Sequence, residues 1–485
     1  MLFNSIDFIV FFAAFFSLYH FVLKEKTKLQ NILLLVASYV FYAWANWKIL
    51  PLLAATTAVF YFLGIAISGA KTEKREQLYT TLGIVFGVGV LLCFKYANFF
   101  ISSFTDLFES FGLQTNPHTF KIIMPIGISF YTFRLLSYLI DIRQGKIEPT
   151  RDFVAFAAYV AFFPCILAGP IDRPATLIPQ LKSRRIFDYS LAVDGLRQIL
   201  WGLFKKMVIA DGCAIYVNHV FDGDIYAQTA STLILAAVLF SFQMYGDFSG
   251  YSDMAIGIAK LLGFRVTKNF DFPYFAQNIA EFWRKWHISL TSWLTNYIFM
   301  PLSLTWRRWS KWGMILAIIV NFVVCGIWHG DNWTFVLWGF YHGLLFIPLI
   351  LSGAMFKKYE TTTYRWGFPK PNVLINIMIT FGLITVGNII FRAETLSHAS
   401  EYFANIFDKS ILSVPFKMNR DYYIPMCFNL AVMIIVEWFQ RQKEHGLDLS
   451  GIKSHVVKFL IYYILLALIF VFGEFNVETF IYFQF

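Results

Sequence analysis

Between Trp312 and Gly353 the chain reads WGMILAIIVNFVVCGIWHGDNWTFVLWGFYHGLLFIPLILSG. Two apolar runs, 312–328 and 333–353, flank a short polar break that carries His329, Asp331 and Asn332. An α-helix needs about 20 apolar residues to cross the hydrocarbon of a bilayer. Hydrocarbon offers the backbone no hydrogen-bond partners, so runs of this kind are helices. The stretch reads as two membrane helices joined by a tight turn.

Similar runs lie near 8–23, 32–45, 49–69, 79–102, 122–140, 153–170, 196–220, 231–262, 371–391, 422–437 and 457–473. Together they predict an all-α, polytopic membrane protein with about 11–13 membrane segments, some short enough to require tilt or re-entry. The composition agrees. Of 485 residues 58% are hydrophobic and 14% charged, against roughly 25% charged in soluble domains. No hydrophilic linker or internal repeat divides the chain, so one membrane domain over residues 1–485 is expected. The first run lacks a basic start and a small-residue cleavage site, and reads as a membrane helix rather than a cleaved signal.

The net charge of +10 is spread over short clusters between apolar runs. Nucleic-acid binding requires a compact basic face, and none is present. Lys24, Lys26 and Lys28, then Lys71, Lys74 and Arg75, then Arg143, Lys146 and Arg151 follow the first, third and fifth runs. The intervening loops hold little positive charge, Lys48 in one and Lys121 in the other. The positive-inside rule places the three clusters in the cytoplasm and the N-terminus outside. The alternation then breaks, because Lys182, Arg184 and Arg185 follow 153–170 where an outer loop is due. That run is expected to re-enter or to span incompletely.

Ionisable groups are costly in a membrane and mark functional candidates. Three clusters stand out. In Cys325–Trp333, His329 has the chemistry of a general base near neutral pH; a histidine bonding a helix end is the alternative. In Asp247–Asp253, Ser249 and Asp253 share one helix face, and Asp247 and Tyr251 another. These side chains either line a polar cavity or tie helices together. In Glu281–Ser289, Glu281 and Lys285 have the spacing of a helical ion pair. There Arg284, Lys285 and Trp286 could receive an anionic donor such as a coenzyme A diphosphate, or anchor an interfacial helix. The five cysteines show no CxxC spacing and the histidines no paired ligand spacing, so neither a disulfide framework nor a metal is expected. Walker A, GxSxG and GxGxxG patterns are also absent.

These clusters fall within a longer ordered series. It runs from Met1–Ser5 and Leu29–Asn31 through Phe94–Tyr96, Asn98–Phe100, Pro125–Phe133 and Ala168–Ile171. It continues through Gly202–Lys206, Asp247–Asp253, Glu281–Ser289 and Trp328–Gly330 to Phe480–Phe483. In this order the sequence resembles the membrane-bound O-acyltransferase (MBOAT) family over nearly its whole length, and its bacterial branch, which modifies alginate and teichoic acids, most closely. The resemblance implies a ring of tilted helices around a central tunnel, with interfacial and re-entrant helices. It implies a catalytic His329 with a second histidine at His287, and support or tunnel lining from Asp247, Ser249, Tyr251, Asp253, Trp328 and Asn332. The donor it implies is a cytoplasmic acyl thioester such as acetyl-CoA, with no permanently bound cofactor.

The acceptor it implies is an exported or cell-surface polysaccharide, reached with a separate extracytoplasmic SGNH-type acyltransferase. The setting it implies is the bacterial cytoplasmic membrane, in contact with lipid. The chain departs from the family at three places. Thr295-Asn296 replaces a common Arg-Asp, Pro301-Leu302-Ser303-Leu304 replaces Pro-Leu-Gly-Gly, and Gly246 stands where a bulky aromatic is usual. The acceptor and the shape of the cavity are therefore not carried over. An exporter of lipid or glycan, or a scaffold without chemistry, are the rival readings.

Overall fold

The computed structural model describes residues 1–44, 46–112, 124–357, 359, 361–365, 367–415, 420–475 and 480. Lys121, the first two residues of the run expected at 122–140, and Ile481–Phe483 of the terminal motif lie outside these. The described chain is helical, and its one β-bridge joins Thr363 and Pro369. Eight helices among the described residues are long and apolar enough to cross a membrane. They are Trp47–Ser68, Glu73–Ser110, Ala230–Leu261, Lys311–His329, Trp333–Leu351, Pro371–Arg392, Tyr422–Gln440 and His455–Phe472. The all-helical, multi-pass expectation holds. Other expected runs form shorter helices, such as Ile6–Ser17, Thr27–Ala43 and Ile128–Arg143.

Two compact units divide the chain: Met1–Val193 with Ile258–Thr267, and Asp194–Gly257 with Lys268–Phe485. In the first, the run at 153–170 makes only the eight-residue helix Phe153–Val160 before the chain turns irregular. It is too short to span, which accounts for the break in loop charge. Irregular backbone at this depth needs partners for its carbonyls. The fully buried Arg134 supplies them, donating to Tyr159 and Val160 at 3.3 Å and to Pro170 at 3.0 Å. Asp172 accepts from the Thr267 amide and hydroxyl at 2.8 and 2.7 Å.

The second unit holds the Lys311–His329 and Trp333–Leu345 hairpin. Apolar burial does not drive helices together in lipid, so close backbone approach must do more of the work. Gly326 lies against the Phe335 carbonyl and Gly339 against that of Phe322. A Gly326→Val variant is expected to lose about 1–3 kcal/mol through overpacking. Reversible unfolding in detergent measures this, and unchanged stability contradicts the packing account.

Candidate functional site

His329 is the last residue of the Lys311–His329 helix. Asn332 caps the next helix, its Oδ1 accepting from the Thr334 amide at 3.0 Å and its Nδ2 donating to the Glu394 carbonyl at 2.6 Å. The turn is thus fixed from its far side. The His329 imidazole is buried among ring edges, with centroids at 5.0 Å for Trp328, 5.1 Å for Trp338 and 5.2 Å for Phe391.

His287 reaches the same neighbourhood from a different element. It joins the Ile279–Lys285 and Ile288–Leu294 helices with φ 44° and ψ 53°, a left-handed conformation that costs a non-glycine residue roughly 1–2 kcal/mol. Asn269 holds it there. The Asn269 carbonyl accepts from the Ile288 amide at 2.8 Å. Its side-chain Oδ1 faces His287 Nδ1 at 3.0 Å, and accepts from the Ser289 amide at 3.3 Å and hydroxyl at 2.9 Å. Its Nδ2 donates to Ser252 Oγ at 3.0 Å. A backbone N–H can only donate, so the Asn269 atom facing Ser289 is the oxygen. His287 Nδ1 therefore carries the proton, and Nε2 keeps its lone pair when the ring is neutral. Burial pushes this imidazole down to about 3, so it is neutral at physiological pH.

Trp328 connects the two histidines, with ring centroids 5.9 Å from His287 and 5.0 Å from His329. Trp338 extends the array from His329 to His342, whose ring centroid is 4.8 Å away. His342 is 1% exposed and packs against Trp283 at 5.1 Å. Its sequence surroundings gave it no role. Its helical spacing from Trp338 was the available signal, and that spacing is as common in ordinary packing.

The second cluster forms a buried ion network. The Ser249–Asp253 face is realised, since Lys205 Nζ donates to Ser249 Oγ at 2.9 Å and pairs with Asp253 at 2.6 Å. Lys206 pairs with Asp247 at 2.6 Å and Asp211 at 2.8 Å. Tyr251 meets the Phe480 ring at 4.9 Å. Both lysines belong to the π-helical segment Phe204–Ala210, which presses against Gly246, the Lys205 carbonyl lying 2.9 Å from where a Cβ would stand. That space is filled by backbone. Glu437 joins through the Tyr245 hydroxyl at 2.9 Å and stands 3.9 Å from Lys205. A lone carboxylate near the end of an apolar run is the only trace Glu437 leaves in the sequence.

In the third cluster Lys285 pairs with Glu281 at 2.9 Å, as the spacing predicts. Arg284 is exposed and donates to the Met355 carbonyl at 3.1 Å. Trp286 is buried, stacked on Phe282 at 5.4 Å. Thr295-Asn296 opens a π-helical turn in which Asn296 donates to the Ser292 carbonyl at 2.6 Å. Among the described residues no group of three or more His, Cys, Asp or Glu side chains is placed to hold a metal.

The family model described as MBOAT, membrane-bound O-acyltransferase family, matches residues 41–391. The "Probable alginate O-acetylase AlgI" of Azotobacter vinelandii is 39% identical over 413 residues, covering 84% of this chain and 78% of that protein. The peptidoglycan O-acetyltransferase of Helicobacter pylori is 33% identical over 431 residues, covering 82% of this chain and 78% of that one. The teichoic acid D-alanyltransferase of Bacillus subtilis is 29% identical over 322 residues, covering 63% and 79% respectively.

Proposed function

The chain belongs to the membrane-bound O-acyltransferase family, and we propose that it moves an acetyl group from a cytoplasmic thioester toward hydroxyls of an exported or cell-surface polysaccharide. It is a multi-pass membrane acyltransferase. The observation that carries the finer reading is the convergence of His329 and His287 on Trp328, in a buried aromatic setting. We assign the catalytic domain to the whole chain, 1–485.

His329 acts as general base. Its neutral imidazole takes the proton of the acceptor hydroxyl as that oxygen attacks the thioester carbonyl. The tetrahedral intermediate collapses with loss of the thiolate, which recovers the proton from the imidazolium. An ester and a free thiol result. Exclusion of water by the surrounding rings protects the thioester from hydrolysis. His287, neutral and carrying its proton on Nδ1, supports the charge that develops beside it. Arg284 and Lys285 receive the anionic part of the donor, and Trp286 backs them. Asn332 and the Asp247–Asp253 network hold the walls. The acetyl choice rests on the alginate and peptidoglycan O-acetyltransferases among the relatives. A cytoplasmic-membrane location and an extracytoplasmic SGNH-type partner complete the reading.

The test uses purified protein in liposomes with acetyl-CoA, a soluble glycan and the extracytoplasmic SGNH-type partner. The reading expects free coenzyme A and alkali-labile acetyl ester in equal amounts. Glycan movement across the bilayer with the thioester untouched overturns it in favour of export. Asn269→Ala, which releases the His287 ring, is expected to slow transfer roughly 10²-fold through misplacement. Steady-state rates check this, and an unchanged kcat removes His287 from the mechanism.

A further inference from the structure

Away from the histidines, the second unit encloses a cavity of about 360 Å³ between the Ala230–Leu261, Pro371–Arg392 and Arg420–Gln440 helices. Tyr274, Phe275, Ile377, Phe381 and Trp438 form much of its wall. Of its polar lining side chains, Tyr245 and Glu437 are bonded to each other, while Tyr274 and Trp438 donate to the Ser241 and Gly367 carbonyls. All three helices contain membrane spans. Met378 and Phe439, which also line the cavity, are 64% and 57% exposed. On a membrane span that exposure is to lipid, so the cavity opens toward acyl chains. Water gains little in a space with so few polar partners.

The rim carries positive charge. The Arg441 guanidinium lies 4.2 Å over the Trp438 ring and donates to the Trp438 carbonyl at 2.6 Å. Lys370 follows Pro369, itself part of the lining, and is exposed. Among the described residues no carboxylate lies within ion-pair distance of either cation. Lys443 adds a further charge close by in sequence, with carboxylates at Glu444 and Asp448 beside it.

We propose that this cavity is a binding site for an anionic glycerophospholipid, with one acyl chain in the aromatic pocket and the phosphate between Arg441 and Lys370. The apolar walls call for a hydrocarbon chain, and the basic rim selects the headgroup. A zwitterionic lipid offers the rim a phosphate but cancels its charge.

Native mass spectrometry of the purified chain compares phosphatidylglycerol with phosphatidylcholine of the same acyl chains. The wild type is expected to retain phosphatidylglycerol roughly 10- to 30-fold better, the size expected for two basic groups facing an anionic headgroup. An Arg441→Ala/Lys370→Ala variant is expected to lose that preference while keeping weak retention of both lipids. Ile377→Trp, which fills the cavity, is expected to lose retention of both. Equal retention by the wild type, or an undiminished preference in the rim variant, overturns the proposal. Arg441 is half-buried on Trp438 but Lys370 is exposed, so Lys370→Ala alone, expected to lose part of the preference, keeps the test standing even if Ile377→Trp does not fold.

Discussion

Lys206→Met is expected to destabilise the protein by roughly 3–5 kcal/mol, the cost of leaving buried charge without its partner. Lys206 Nζ lies 2.6 Å from Asp247 and 2.8 Å from Asp211, and its side chain is 1% exposed. The two carboxylates are 2% and 4% exposed, so water cannot replace the ammonium. Methionine matches the stem but leaves both carboxylates facing a thioether. An Asp247→Asn change in the same background removes one of these charges and is expected to recover part of the loss. Unfolding in mixed micelles measures the effect. A loss below about 1 kcal/mol would indicate a solvated pair of the ordinary surface kind.

His329→Ala is expected to slow acyl transfer by roughly 10²–10⁴-fold, the range over which a positioned general base contributes. The imidazole touches Trp328, Trp338 and Phe391 edge-on, so alanine also opens a small apolar gap. His329→Gln keeps more of the volume without a base of suitable strength, and separates packing from chemistry. Adding His287→Ala is expected to cost little more than His329→Ala alone, since groups that act as a unit are strongly non-additive. Fully multiplicative losses would show two independent contributions.

Much of this architecture was legible because lipid leaves the backbone few options. Long apolar runs had to be helices. The broken charge alternation after 153–170 pointed to the short Phe153–Val160 helix. Periodicity also placed Ser249 and Asp253 on the face that meets Lys205. What it could not give was the partner across the gap. Asn269 sits in irregular backbone, where no period marks it, yet it sets the His287 tautomer. Glu437 joins Lys205 and Tyr245 only through tertiary packing. Gly246 suggested altered cavity space, and the π-helical turn beside it takes that space up.

Acyl transfer at His329 is open to a direct measurement. Release of coenzyme A and formation of glycan acetyl ester are followed together in liposomes holding wild-type or His329→Gln protein of equal thermal stability, with the SGNH-type partner present. Coupled release and ester formation are expected in the wild type, and at least a roughly 10²-fold fall in both for the variant. A stable His329→Gln protein that transfers acetyl at the wild-type rate would contradict it.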